Sequence, residues 1–246
     1  MVRRAPAKRE NGGMENQVAV VTGGTRGIGR AIAERLLSEG LKVAICGRTQ
    51  EGVDSALAEL RGPGESVFGV AADVAKLADV QRFFSAVNSR WGGFDVLVNN
   101  AGIGFFRSVA DLTPQEWHQM IDLNLSGVYY CCHEAMPNFR KRDGGYVINI
   151  SSLAAKNPFA GGSGYNASKF GLNGFAEAMM LDHRQENVRV TSIMPGSVDT
   201  EFGNGTPGAA WKIAPADIAE MVVALLRMPQ RTLVSRVEMR PSRPPK

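Results

Sequence analysis

Short apolar runs rich in β-branched residues recur along the chain, separated by longer stretches in which apolar positions return at helical spacing. The strand-like runs are "QVAVVT" (17–22), "KVAIC" (42–46), "SVFGVAAD" (66–73), "FDVLVNN" (94–100), "YVINIS" (146–151), "VRVTSIMP" (188–195) and "TLVSRVEM" (232–239). The spacing between them predicts helices over 27–40, about 50–61, 76–91, 114–141, 165–186 and 215–228. Strands that are apolar on both faces and alternate with helices belong to a parallel sheet covered on both sides. The pattern predicts an α/β fold over residues 14–239, a doubly wound parallel sheet of about seven strands in one domain with no repeat or interdomain linker.

Composition narrows the class without changing that picture. Hydrophobic residues make up 44% and charged residues 21% of 246, as expected for a globular protein. No run approaches the ~20 apolar residues that a membrane span needs, so no membrane association is expected. The net charge of +4 lies at the ends: 1–13 carry a balance of +3 and 240–246 another +3, leaving −2 on the body between them. The basic start reads as a disordered arm or a cloning remnant and the end as a basic tail, and neither predicts a specific nucleic-acid partner. Cys46, Cys131 and Cys132 form no CxxC pair and suggest reduced thiols in the cytoplasm. The neighbours in "CCHE" (131–134) point about 100° apart on a helix, so no metal site is expected there or elsewhere.

The first strand runs directly into "TGGTRGIGR". Glycines at a strand-to-helix turn let the backbone approach a ligand, and the free N–H groups of the helix receive a phosphate. Gly23, Gly27 and Gly29 therefore suggest a dinucleotide site, although Gly-x-x-x-Gly-x-Gly differs from the better-known fingerprint. A carboxylate at the tip of the second strand would suit a ribose hydroxyl, whereas an arginine suits a 2′-phosphate. That tip reads "CGRTQ", with Arg48 and no acid, and Arg26 adds a second cation; Glu51 and Asp54 fit the first turn of the next helix instead. The expected cofactor is NADP(H).

In "GYNASKF" (164–170), Tyr165 and Lys169 stand four apart and share one helix face. A nearby ammonium favours the phenolate, so the pair is expected to act as a proton donor and acceptor with a lowered phenol pKa.

Seven ordered motifs resemble the short-chain dehydrogenase/reductase family in its single-domain branch: "TGGTRGIG" (22–29), "ADV" (72–74), "NNAG" (99–102), "DLNLSGV" (122–128), "INISS" (148–152), "YNASK" (165–169) and "PGSVDT" (195–200). The resemblance, which extends to 3-oxoacyl-[acyl-carrier-protein] reductases and carbonyl reductases, implies a Rossmann-type fold and a Ser-Tyr-Lys mechanism. It implies that Asn124 holds a water leading to Lys169, Ser152 binds the substrate carbonyl, Tyr165 is the general acid or base, and Lys169 holds the nicotinamide ribose. Gly23, Thr25, Arg26, Gly27, Ile28 and Gly29 would line the pyrophosphate and adenosine end, with Asp73 and Val74 at the adenine. Asn100, Ala101 and Gly102 would follow the adenosine ribose, and Val198 would meet the carboxamide. Hydride chemistry belongs to the cofactor; Ser152 and Tyr165 would stabilise charge developing on the carbonyl oxygen. Neighbours in a strand face opposite sides, so only one of Ser151 and Ser152 can face the site, and spacing favours Ser152.

The substrate is less legible. "GNGTPGAAWKI", with Phe202 before it and Trp211 within it, reads as a short mobile lid, and Ile103, Phe105, Phe106, Ala154, Phe159 and Gly162 are further pocket residues. The carboxyl end, "VEMRPSRPPK", departs from the family's Gly-Gly-containing close, so a homodimer through 114–141 and 165–186 is as credible as a homotetramer. The expectation is a cytoplasmic NADPH-dependent reductase of a ketone, 3-oxoacyl thioester or other small-molecule carbonyl. The alternatives are a non-catalytic NADP(H)-binding sensor or scaffold, and a Ser152/Lys156 hydrolase, which lacks a nucleophile elbow and places His118, His133 and His183 outside every motif.

Overall fold

The computed structural model describes residues 14–60, 62 and 65–245; the expected basic arm, 1–13, lies outside them. Seven strands form one parallel sheet in the order β3-β2-β1-β4-β5-β6-β7. They are β1 (Val18–Thr22), β2 (Lys42–Gly47), β3 (Val67–Ala71), β4 (Val96–Asn99), β5 (Gly145–Ile150), β6 (Val188–Pro195) and β7 (Arg236–Met239). The helices are α1 (Gly27–Ser38), α2 (Gln50–Glu59), α3 (Leu77–Trp91), α4 (Pro114–Ile121), α5 (Gly127–Lys141), α6 (Ser163–His183) and α7 (Pro215–Leu226).

Alternation along the strands splits the core into two layers. Val18, Val20, Leu97 and Val147 face α3, α5 and α6, joined there by Phe83, Phe94, Phe139 and Leu172. Ala19, Val21, Val98 and Ile148 face the other way, toward Leu36 of α1 and Val222 of α7. The central strand β1 is buried at all five positions, which explains its uninterrupted apolar run. Two expectations change. The last strand spans 236–239 rather than 232–239, because Thr232 closes a turn onto Pro229 instead of pairing with β6. The single helix foreseen over 114–141 is divided by a π-turn, Asp122–Ser126, between α4 and α5. No described helix is long and apolar enough to cross a membrane.

The sheet order reverses between β1 and β4, so the helices leaving these two strands diverge and open a crevice at their carboxyl ends. The amino ends of the same strands are fastened by Asp95. Its carboxylate takes both guanidinium contacts of Arg142, at 3.0 and 2.9 Å, and accepts from the Val18 N–H at 2.9 Å. Removing one partner from a buried charged pair strands the other. Asp95→Ala is expected to lower unfolding free energy by about 3 kcal/mol, measured by urea denaturation; a change below about 0.5 kcal/mol, the size of an ordinary surface substitution, would contradict this role.

Candidate active site

Thr22, the last residue of β1, organises the crevice. Its hydroxyl accepts from the Asn100 and Ala101 N–H groups at 3.0 and 3.1 Å, and the Asn100 amide donates to the carbonyls of Thr22 and Gly23, both at 3.0 Å. The glycine turn is thereby locked to the end of β4. Gly23 has φ +63°, and a Cβ there would lie 3.0 Å from the Ala101 Cα, so both conformation and space demand glycine. Gly29 is excluded from growth as well, since a Cβ would lie 2.3 Å from the Asn100 amide nitrogen and the Gly23 carbonyl oxygen.

The turn fits a dinucleotide phosphate. Arg26, at the amino end of α1, provides no side-chain cap, whereas Thr49 and Thr113 cap α2 and α4. The first-turn N–H groups of α1 thus have no competing side-chain acceptor from that cap. Thr25 lies against Gly47 at the tip of β2. Arg48, next in the chain, is exposed and has no ion-pair partner among the described residues. Arg26 differs from expectation as a second free cation, because its guanidinium donates to Glu201 at 3.0 Å. Ile28 packs on the α1–α7 layer of the core. Asp73 accepts from the Ala75 N–H at 3.2 Å, Val74 is buried against Gly127 at the start of α5, and Val198 forms an isolated β-bridge with Ile213. Gly102 passes between the two catalytic candidates: a Cβ there would lie 3.2 Å from Asn124 Oδ1 and 3.8 Å from Lys169 Nζ.

Asn124 is wholly buried in the π-turn. Its Oδ1 accepts from the Ile103 N–H at 2.9 Å, and its amide donates to the Ile103 carbonyl at 2.8 Å and to Ser168 Oγ at 3.0 Å. Both amide hydrogens are committed, so only acceptor capacity on Oδ1 is left for the expected relay water. Ser168 in turn donates to the Tyr165 carbonyl at 2.8 Å. One chain of hydrogen bonds therefore ties the 101–106 loop, the π-turn and the tyrosine turn of α6.

Ser151 and Ser152 separate as expected. Ser151 is buried and donates to Asn173 at 2.8 Å, while Ser152 stands at the crevice, accepts from the Ala154 N–H at 3.1 Å and lies near enough to Tyr165 to draw its phenol pKa down. Lys169 is buried, donates to the Ile150 carbonyl at 3.0 Å, and places its ammonium 5.8 Å from the Tyr165 ring centroid. The lowered phenol pKa foreseen for this pair is not what the structure gives. Burial pushes the Tyr165 phenol up to about 12, with Ser152 pulling the other way, and burial draws Lys169 down to about 8. Desolvation is the first cause of both shifts.

Other candidates are not brought in. Lys156 donates to Glu238 at 2.6 Å on the outer surface, and His183 pairs with Glu186, so neither forms a hydrolase site with Ser152. The described residues hold no cluster of His, Cys, Asp or Glu suited to a metal, and all three cysteines are free and buried. Reading the sequence missed Thr22, Ser168 and the buried pair in which Asn99 donates to Asn149 at 2.9 Å. All four residues lie inside the motifs quoted above, but neither membership of a motif nor polarity at a strand end reveals a partner.

The family model for short chain dehydrogenases matches residues 17–208. Human dehydrogenase/reductase SDR family member 4 is 38% identical over 203 residues, covering 82% of this chain and 70% of the relative. The alcohol dehydrogenase from the archaeon Thermococcus sibiricus, solved with 5-hydroxy-NADP, superposes with a TM-score of 0.87 at 31% identity over 94% of this chain and all of that one. A metagenomic short-chain oxidoreductase solved with NADP gives 0.83 at 35% identity over 95% of this chain and 100% of that one. With its parallel sheet, glycine turn and Ser-Tyr-Lys crevice, the chain belongs to the short-chain dehydrogenase/reductase family and is an oxidoreductase by descent.

The depressed Lys169 value fixes a pH signature. Below about 8 the folded chain carries a buried charge; between there and the ordinary 10.5 it sheds a proton that the unfolded chain keeps. The unfolded state then binds more protons, so stability rises with pH across that window. Relative to Lys169→Met, the unmodified protein should gain stability from pH 8 to 10.5 in urea unfolding; a flat difference would show that Lys169 titrates normally.

Proposed function

We propose that the chain is a cytoplasmic NADP(H)-dependent reductase that turns a ketone, as a 3-oxoacyl thioester or another small-molecule carbonyl, into a secondary alcohol. The observation that carries this reading is the convergence of Ser152, Tyr165 and Lys169 at the crevice mouth beside an unacidic β2 tip. Bound nicotinamide would supply hydride. Ser152 would orient the substrate oxygen by hydrogen bonding, and Tyr165, protonated over the whole working range, would deliver the proton as charge gathers there. Lys169, with its pKa near 8, would hold the ribose hydroxyls and return a proton to the phenol. Asn124 fixes the loop against which these groups act.

Arg48 supports NADPH over NADH, since an exposed guanidinium without an acidic partner among the described residues suits a 2′-phosphate. Free, buried thiols support the cytoplasmic reading. Tyr129, Phe170 and Leu181, exposed on α5 and α6, support a homodimer through those helices, with a homotetramer as the larger assembly.

Two experiments test the function. Tyr165→Phe should retain cofactor affinity and lose ~10²–10³ in turnover, followed by loss of reduced-nicotinamide absorbance; an undiminished rate refutes the role of Tyr165. Arg48→Glu should weaken NADPH binding ~10-fold or more, the loss of a charge-assisted contact, with NADH binding little changed in calorimetry. Equal loss for both cofactors would remove Arg48 from phosphate recognition.

A further inference from the structure

Phe106 and Phe202, from two separate segments, stand against the Tyr165 ring, and Phe159 from a third segment joins them through Phe106. Phe106 stands edge-on to the tyrosine at 5.6 Å between centroids, Phe202 lies at 5.6 Å from it, and Phe159 meets Phe106 at 5.7 Å. Apolar rings of this size are normally buried, yet these remain 45%, 41% and 46% exposed, while Tyr165 is 8% exposed. They are also seated. A Cβ at Gly203 would lie 2.4 Å from Phe106, one at Gly104 3.0 Å from Phe202, and one at Gly162 2.7 Å from Phe159. Phe106 and Phe202 thus each rest on a glycine of the other's segment, so the wall after β4 and the lid after β6 interlock.

The lid is held at its base, where Asp199 accepts from the Gly208 and Ala209 N–H groups at 3.0 and 3.2 Å. Charged residues close in sequence to these rings are answered. Arg107 donates to Glu116 at 2.8 Å, Arg26 to Glu201 at 3.0 Å and Lys156 to Glu238 at 2.6 Å, and Lys212 lies in the field of Asp199. A phosphate-bearing carrier would meet cations that already face carboxylates. An uncharged ring instead meets faces and edges that favour it.

We propose that Phe106, Phe159 and Phe202 form the recognition box of this enzyme, and that its substrate is an uncharged ketone bearing an aromatic or fused alicyclic ring. The proposal rests on the reading of Tyr165 as proton donor, which places the box around the reacting carbonyl. The substrate ring rests on the exposed sides of Phe106 and Phe159, which touch each other at 5.7 Å, and Phe202 closes over it with the lid.

Acetonaphthone, uncharged and ring-bearing, and acetoacetyl-CoA, anionic and aliphatic, are the probes. The unmodified enzyme with NADPH should reduce acetonaphthone with the higher kcat/KM. Phe106→Ala and Phe202→Ala should raise the KM for acetonaphthone about tenfold, the scale of losing an aromatic contact and its buried area, and move that for acetoacetyl-CoA less than about twofold. Acetoacetyl-CoA as the preferred substrate, or equal shifts for both probes, overturns the proposal. Equilibrium dialysis of acetonaphthone against Tyr165→Phe, with and without Phe106→Ala, separates the two readings. Binding that depends on Phe106 with no turnover by the unmodified enzyme sinks the reductase and keeps the ring site. Absence of binding, or binding indifferent to Phe106, sinks the ring site whatever the enzyme reduces.

Discussion

The structure depends on the junction of β1 with β4. All seven strands run the same way, so every loop that follows a strand opens at one edge of the sheet, and the order reverses at this junction. Two divergent loops left to themselves would not share a geometry. Thr22 and Asn100 supply it through hydrogen bonds that join the glycine turn to the loop carrying Ile103. Asn124 continues the same connection to α6, and Lys169 closes it on β5. The cofactor turn and the reacting tyrosine are consequently parts of one polar framework, built at the carboxyl edge of an otherwise apolar sheet.

Much of the fold was readable because buried parallel strands have an unmistakable composition. β1, β4 and β6 are buried throughout or nearly so, and their sequence runs locate them within one or two residues. β7 was overdrawn because it lies at the edge, half in solvent, where "TLVS" can form a turn as easily as a strand. The π-turn was invisible: "DLNLS" has ordinary helical composition, and its departure from the α pattern is fixed by Asn124 meeting Ile103, a contact 21 residues away.

The site divides in the same way. Ser152, Tyr165 and Lys169 were placed by motif and by helical spacing, and the structure brings them to one crevice. Their proton affinities could not be read, because spacing says that two groups are near and nothing about how much water surrounds them. Burial reverses the expected direction for the phenol. Arg26 shows a related limit. Its partner Glu201 lies 175 positions along the chain, so the carboxylate that answers its charge is absent from its local sequence.

The π-turn has a consequence for how helix faces are assigned. A wider turn inserts about one extra residue, which rotates everything after it by roughly 100° relative to a straight helix. α4 and α5 therefore keep independent phases. α5 can direct Cys131, Ala135 and Phe139 into the sheet and Tyr129 outward, while Asn124 is turned toward the 101–106 loop. The insertion sets a fixed angular offset between α4 and α5, so the reactive edge and the outer wall face directions that one straight helix would not present.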